Sequence, residues 1–230
     1  MIDYKYTYLL MGIIFFVIWI SLYLWRKDTR KPMIIMSIIF AFIGPLTDIV
    51  YTKDWWSPQN ILGLKVGIIE AAIVGFMIGG IATVIYEDVF KKRIKPRKKR
   101  KKKNKEIRII FITLLGLLIF FTLFFIINLN SFVTTVITLI ILIVIIWIKR
   151  KDLIIDSIVT GFLFLIIAII TYSILEFLTP GWVNEFWHFK NIPNIIIFNV
   201  PIDDWIWYFL AGACIGPLYE YWQEKKLVSK

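Results

Sequence analysis

Residues 54–88 read DWWSPQNILGLKVGIIEAAIVGFMIGGIATVIYED, and this stretch decides the fold of the chain. Its second part, residues 66–86, contains one charged side chain, Glu70, and is otherwise almost entirely apolar or small. An α-helix needs about 20 such residues to cross the hydrocarbon core of a bilayer. The segment therefore predicts a membrane-spanning helix with an acidic residue near its first turn.

Six further runs have the same character, and 59% of the 230 residues are hydrophobic. A soluble domain holds about 45–50% apolar residues, so the composition excludes a soluble globular protein and a disordered chain. The first run is too long for the apolar part of a signal peptide and follows no basic region, so we expect it to be retained. The sequence predicts an all-α polytopic membrane protein with seven spans, at residues 7–25, 33–51, 66–86, 109–128, 132–148, 153–175 and 202–222.

The chain contains one cysteine, Cys214, and one histidine, His188. These counts exclude disulfide frameworks, Cys/His zinc sites and Cys–His catalysis within one chain. The sequence also contains no glycine-rich nucleotide motif, so we predict no bound cofactor. We assign no residue to a metal site either. Any chemistry then depends on carboxylates, hydroxyls and aromatic rings.

The distribution of Lys and Arg predicts how the chain is oriented. Of the 27 basic residues, 23 lie in segments 26–31, 91–108, 149–152 and 223–230, which seven spans would place on one side of the membrane. Basic residues are enriched in cytoplasmic loops. We predict a multi-pass protein of the cell membrane with its N-terminus outside and its C-terminus in the cytoplasm.

The segment KKRIKPRKKRKKKNK, at residues 91–105, accounts for most of the net charge of +11. It has no interleaved aromatic residues and lies between two predicted spans, which argues against a nucleic-acid partner. Polybasic segments next to a membrane span bind anionic lipids. We therefore predict contact with anionic lipid headgroups here.

Residues 54–88 resemble residues 185–221, EFWHFKNIPNIIIFNVPIDDWIWYFLAGACIGPLYEY. An offset of 131 pairs two positions, and after a two-residue insertion an offset of 133 pairs four more. The pairs are Trp56–Trp187, Asn60–Asn191, Glu70–Asp203, Gly79–Gly212, Tyr86–Tyr219 and Glu87–Glu220. If three spans, one linking span and three further spans cross the membrane in turn, both three-span repeats begin on the same side of it. We therefore predict a 3+1+3 parallel repeat with a site at the interface of the two units.

The repeat divides the chain into a first three-helix unit, a basic cytoplasmic linker, a linking helix and a second three-helix unit. These parts are predicted at residues 1–90, 91–108, 109–131 and 132–230. Within the units, small residues recur four positions apart. This spacing, at Gly75 and Gly79 and at Gly212 and Gly216, predicts close helix packing.

Acidic residues mark both units at corresponding places. Asp48 and Glu176 lie near the ends of the second and sixth spans, and Pro201-Ile202-Asp203-Asp204 begins the seventh. This pattern resembles the lycopene cyclase domain family of small, tandem-repeat membrane carotenoid cyclases. The shared features are an acid at a helix end, a tryptophan-containing loop and a Pro-x-acid-acid motif. The first unit keeps Glu70 but lacks the proline and the second acid.

The resemblance implies a redox-neutral cyclisation in which a carboxylic acid protonates a terminal alkene of a linear carotenoid or related polyprenyl lipid. It implies Asp203 or Asp204 as the proton donor and Glu70 as the counterpart in the other unit. It also implies the lipid bilayer and a lipophilic polyprenyl substrate as partners. The candidate binding residues are Asp48, Trp56, Asn60, Glu176, Trp187, Asn191 and Trp207.

An alkene is a weak base, so its proton donor must be protonated and poorly hydrated, as burial beside another carboxylate favours. Adjacent helical residues point about 100° apart, so only one of Asp203 and Asp204 needs to face the cavity. Tryptophan faces such as that of Trp207 attract cations. Simpler interpretations exist for both kinds of residue. In one, the helix dipole favours the acids at helix starts, near the outer boundary and within reach of water. In the other, the tryptophans form an interfacial belt.

Two other classes of function remain open from the sequence. Three-one-three parallel repeats also form sugar-facilitating channels, so a transporter is one alternative. A transporter requires polar residues near the middle of the membrane, where the third and seventh spans offer mostly glycine, Thr83 and Cys214. The other alternative is a non-catalytic membrane protein that retains the cyclase-domain fold.

Overall fold

The computed structural model describes residues 2–97, 105–189 and 192–229, and helices make up most of this part of the chain. The long helices follow the apolar runs, because a helix satisfies all its backbone hydrogen bonds internally where no water is present. The helices are α1 Thr7–Trp25, α2 Arg30–Tyr51, α3 Ile68–Val89, α4 Lys105–Phe125, α5 Ser131–Lys149, α6 Ile154–Leu178, α7 Trp182–Phe186, α8 Ile202–Ile215 and α9 Leu218–Gln223. The strands are β1 Arg93–Pro96, β2 Ile196–Ile197, β3 Val200–Pro201 and β4 Lys225–Val228.

In the described part of the chain, five helices are long and apolar enough to cross a membrane. The fourth predicted span corresponds to α4, of which Ile109–Phe125 forms a shorter apolar helix. The seventh is divided into α8 and α9 at Gly216 and Pro217, and a 14-residue helix is only about 21 Å long. The protein is therefore a multi-pass membrane protein, and the predicted count of seven spans is not confirmed. The five helices are Tyr4–Trp25, Arg30–Tyr51, Ile68–Val89, Ser131–Lys149 and Lys151–Leu178.

Glycines bring two helix pairs into close contact. A Cβ on Gly75 would lie 2.4 Å from the carbonyl oxygen of Phe40, so α3 packs directly on the backbone of α2. A Cβ on Gly212 would lie 2.8 Å from the Cβ of Phe164, so α8 packs in the same way on α6. The structure confirms the close packing that the small-residue spacing predicted.

The bundle has two distinct ends. At one end, here called the loop end, lie the connections at residues 52–67 and 179–201. At the other, the strand end, β1 pairs antiparallel with β4, with Arg93 opposite Val228. The basic segment 91–105 therefore begins with a strand in this sheet, and its residues 98–104 lie outside the described part of the chain.

Candidate active site between the two units

A cavity of about 230 Å³ lies inside the helix bundle. Residues of α1, α2 and α3 line one part of it, and residues of α4, α5, α6, α8 and α9 line another. Trp55, Trp56 and Trp187, which lie in the connections, complete the lining. Its surface is mostly apolar and aromatic, with a small number of polar groups, as is usual for binding sites of small molecules. The cavity therefore lies between the two predicted units, where parallel repeats were expected to form a site.

Asp204 is the acid that the second unit contributes to this cavity. It lies in the first turn of α8 and is 6% exposed. The hydroxyl of Tyr172, on α6, donates a hydrogen bond to its Oδ2. Tyr172 also lines the cavity, so a tyrosine and a carboxyl group meet at the same wall.

Asp203, the neighbouring residue, is turned away from the cavity. Its Oδ2 accepts hydrogen bonds from the indole of Trp55 and, at 3.1 Å, from that of Trp187. The side chain is fully buried, with 0% exposure. The two adjacent acids thus have different surroundings, as their directions on a helix predicted. Asp203 holds one tryptophan from each unit's loop.

Asp48 is the acid that the first unit contributes to the cavity. Its Oδ1 accepts a hydrogen bond of 3.1 Å from the indole of Trp56, and the side chain is 3% exposed. The ring of Tyr8 packs edge-on against Trp56, with 4.9 Å between the ring centroids. Of the described acidic side chains, Asp48 and Asp204 are the two that line the cavity.

The three predicted site tryptophans, Trp56, Trp187 and Trp207, form part of the cavity wall. Trp55, Trp56, Trp187 and Trp207 all line the cavity, and Trp55 and Trp187 are buried. Asp48, Glu70, Asp203 and Asp204 are buried too, with Glu70 at 2% exposure, as a poorly hydrated proton donor requires. The surrounding loops cover them, which the linear sequence could not show.

A comparison with known protein families identifies the family of this chain. The lycopene cyclase family model matches residues 3–89 and 130–222, which together are more than three quarters of the chain. The chain belongs to the lycopene cyclase family. Membership gives it a membrane carotenoid cyclase-like role. Searches of curated proteins and of solved structures returned no match.

In this member of the lycopene cyclase family, Glu70 organises a loop. Its Oε1 accepts a 3.0 Å hydrogen bond from the backbone N–H of Ile61. Asn60 stabilises the same turn, because its Oδ1 accepts from the N–H of Leu64 at 3.0 Å and its Nδ2 donates to the carbonyl of Leu64 at 2.6 Å. Both predicted site residues therefore hold the 52–67 connection beside the cavity.

The remaining predicted residue pair lies in the second unit of the lycopene cyclase fold. Glu176 is half-buried, and its Oε1 accepts a 2.9 Å hydrogen bond from the N–H of Gly181. This hydrogen bond stabilises the beginning of the connection that follows α6. Asn191 lies outside the described residues.

Sequence reasoning missed three of the four tyrosines of this cavity, Tyr8, Tyr51 and Tyr172, and singled out only Tyr208. Tyr8, Tyr51, Tyr172 and Tyr208 all line it. The hydroxyl of Tyr51 accepts a 3.2 Å hydrogen bond from Thr135 on α5, a contact between the two units. A usable signal was present, since polar groups inside apolar spans are often functional. Tyr172 also lies one helical turn before Glu176.

Proposed function

We propose that the protein cyclises an end of a linear carotenoid or related polyprenyl lipid inside this cavity, with Asp204 as the proton donor. One observation carries the proposal: Asp204 and Asp48, from different units, line one apolar, aromatic cavity. An apolar wall suits a hydrocarbon substrate, and the two acids supply a proton donor and a proton acceptor. The bilayer delivers such a lipophilic substrate.

The reaction is an isomerisation in which substrate and product have the same atoms. The carboxyl group of Asp204 transfers its proton to the terminal alkene, whose electron pair forms the new C–H bond. A second alkene attacks the carbocation and closes the ring by a C–C bond. Asp48 removes a proton from the ring cation, which restores a double bond. Proton transfer from Asp48 back to Asp204 through solvent completes the cycle.

Tyr172 determines which oxygen of Asp204 carries the proton. Its hydroxyl donates to Oδ2, which leaves Oδ1 to hold the reactive proton. This contact fixes the orientation of the carboxyl group against the substrate, and orientation is a large part of catalysis. Tyr172 thus acts as a positioning residue in the proposal.

The aromatic wall stabilises the carbocation. The faces of tryptophan, tyrosine and phenylalanine rings attract cations and contribute about 0.5–2 kcal/mol each, more where water is excluded. Trp207 precedes Tyr208 on α8, and the two rings lie 4.8 Å apart. Both line the cavity that contains Asp204. A ring that presents its face attracts the cation without forming a bond to it, so the second alkene remains free to close the ring.

Asp203 and Glu70 then have supporting roles in the proposal. The repeat pairs them, and each accepts hydrogen bonds from a loop-end connection: Asp203 from Trp55 and Trp187, Glu70 from Ile61. Both hold the walls of the cavity in place. Catalysis by Asp203 or by Glu70 is the alternative that the family resemblance implied, and mutagenesis separates the two.

The experiment is expression in cells that accumulate lycopene, followed by chromatography of the extracted carotenoids. We expect cyclised product with the wild-type chain and its loss in Asp204→Asn, which removes the acidic proton with little change in shape. Glu185→Gln, at an exposed acid of the loop end, is the matched control and retains activity. Equal product from Asp204→Asn and wild type, at equal protein levels in the membrane, would contradict Asp204 as donor. Unchanged lycopene with membrane-inserted wild type would reject lycopene as the substrate.

A further inference from the structure

Three acidic side chains meet at the strand end, on the far side of the bundle from the loop-end acids. Carboxylate oxygens of Glu87, Asp156 and Glu220 all lie within 4.8 Å of one another. Glu87 lies in the last turns of α3, Asp156 in the first turn of α6 and Glu220 in α9. All three are buried, with exposures of 1%, 2% and 0%. The cluster does not contribute to the cavity.

The carboxylates of this cluster lack the partners that buried acids normally have. Within the described residues, no hydrogen bond reaches either carboxylate oxygen of Glu220, Oε1 of Glu87 or Oδ2 of Asp156. Asp156 does accept a 3.1 Å hydrogen bond from Thr160 through its other oxygen. A buried carboxylate without a partner is strongly unfavourable, so Glu220, fully buried and directed at two other acids, needs either a bound cation or a proton.

The nearby arginines position the glutamates without neutralising them. Arg26 donates to the main-chain carbonyl of Glu87 at 2.5 Å, and Arg150 donates to that of Glu220 at 3.1 Å. The guanidinium of Arg26 pairs with the carboxylate of Asp28 and holds the pKa of that acid below its ordinary value. Arg150 pairs in the same way with Asp152, through two bonds of 2.8 Å.

In the part of the chain that the structure describes, no lysine or arginine nitrogen therefore forms a salt bridge with the three clustered carboxylates. Arg150 and Lys225 are near enough to Glu220 to act on it electrostatically, but neither forms a salt bridge with its carboxylate in the described residues. Arg26 and Arg150 nevertheless hydrogen-bond to the main-chain carbonyls of Glu87 and Glu220. These bonds fix the backbone positions of the two glutamates. The result is a buried cluster of carboxylate oxygens contributed by three helices.

Although the sequence predicted no metal site, the geometry points to a divalent-cation site formed by Glu87, Asp156 and Glu220. It takes a hard cation of the Ca²⁺ or Mg²⁺ class. Carboxylates are the ligands that such cations prefer. Ca–O bonds are about 2.3–2.6 Å long, so one ion spans oxygens that lie up to roughly 5 Å apart. The separation of at most 4.8 Å fits this span. The ion joins the last helices of both repeats, because Glu87 and Glu220 are repeat partners.

The site is independent of the proposed cyclase reaction, and its first test measures binding alone. Full-length protein in detergent is treated with a chelator, dialysed and titrated with Mn²⁺, and free Mn²⁺ is followed by electron paramagnetic resonance. We expect one saturable Mn²⁺ per chain, displaced by Ca²⁺ or Mg²⁺. Glu220→Gln and Glu87→Gln should each weaken binding by at least about 10-fold, by analogy with the loss when groups around a metal are removed. Glu185→Gln should leave it unchanged.

A second readout is the thermal unfolding midpoint, because a ligand that binds only the folded state raises it in a concentration-dependent way. We expect Ca²⁺ to raise the midpoint of wild type and of Glu185→Gln but not of Glu220→Gln. Absence of saturable Mn²⁺ binding by the wild type overturns the site, and so does equal binding by wild type and Glu220→Gln. Where Glu220→Gln does not fold, Asp156→Asn is measured in its place. A midpoint that responds to pH alone, and not to Ca²⁺, also overturns the site in favour of shared protons.

Discussion

Trp56 and Trp187 face each other at the loop end, where their main chains form an isolated antiparallel bridge and their ring centroids lie 5.3 Å apart. They are also partners in the internal repeat, at an offset of 131. Residues that correspond in two repeats meet each other when they lie on the axis relating those repeats. We infer that this axis passes between the two tryptophans.

The hydrogen bonds that flank the bridge are reciprocal. The N–H of Ser57 donates to the carbonyl of Phe186 at 2.8 Å, and the N–H of His188 donates to the carbonyl of Trp55 at 2.7 Å. The same offset pairs Ser57 with His188 and Trp55 with Phe186, so each bond is the repeat counterpart of the other.

The strand end has the same reciprocity. In the β1–β4 sheet Arg93 lies opposite Val228 and Lys95 opposite Lys226, and the offset of 133 exchanges these two pairs. An axis that passes through both ends of the bundle runs along the helices, as parallel repeats require. Superposing residues 33–88 on 153–221 should need a rotation of about 180° about that direction. A rotation axis perpendicular to the helices would contradict the parallel repeat.

The first mutational prediction separates the two adjacent acids. Asp204→Asn should lower cyclisation by about 10²–10⁴-fold, the usual contribution of a general acid. Asp203→Asn should cost less, because an asparagine oxygen still accepts hydrogen bonds from Trp55 and Trp187. Product formation per unit of protein is the measurement. A large loss in Asp203→Asn with full activity in Asp204→Asn would transfer the donor role to Asp203.

The second prediction concerns the indole that holds Asp48. Trp56→Phe keeps an aromatic ring against Tyr8 but removes the 3.1 Å hydrogen bond to Asp48. A buried carboxylate that loses a partner costs about 1–3 kcal/mol, so the thermal unfolding midpoint should fall. Trp205→Phe is the control, since its indole bonds only to a carbonyl at an exposed position. Equal midpoints for the two variants would contradict a structural role for the Trp56–Asp48 bond.

The third prediction tests the helix packing. Gly75→Ala should destabilise the protein by about 1–3 kcal/mol, the typical cost of overpacking, because the new Cβ would meet the Phe40 backbone at 2.4 Å. Gly116→Ala is the control, since its Cβ would meet only the end of the flexible Leu142 side chain, at 3.1 Å. Thermal unfolding of both variants in detergent measures the difference. Similar stability would mean that α2 and α3 can separate without cost.

The fourth prediction is the orientation in the membrane. In a Cys214→Ser background, Lys27→Cys should react with a membrane-impermeant thiol reagent only from the cytoplasmic side, and Leu62→Cys only from outside. Both positions are exposed, and they lie at opposite ends of α2. The basis is the enrichment of basic residues in cytoplasmic loops. Labelling of Lys27→Cys from outside intact cells would reverse the orientation.

Apolar runs and the internal repeat were enough to predict most of the helices, because a membrane span needs little beyond length and the absence of charge. The run at 7–25 became helix Thr7–Trp25, and the glycine spacing correctly indicated close packing. The break at Gly216 and Pro217 was missed, since hydropathy is averaged over a window and does not detect one irregular turn. The count of seven spans stays a prediction for the same reason.

Local sequence determined which residues could do chemistry, and it singled out both acids of the cavity. Only the tertiary structure decided their roles. Asp203 and Asp204 are neighbours in sequence, but the helix turns one toward two tryptophans and the other toward the cavity. Glu87, Asp156 and Glu220 are separated by 133 residues from first to last, and each alone is an ordinary helix-end acid. They meet because α3 ends, α6 begins and α9 lies at the same end of the bundle. The packing of these helices sets the distances between the three side chains, and no local sequence pattern contains those distances.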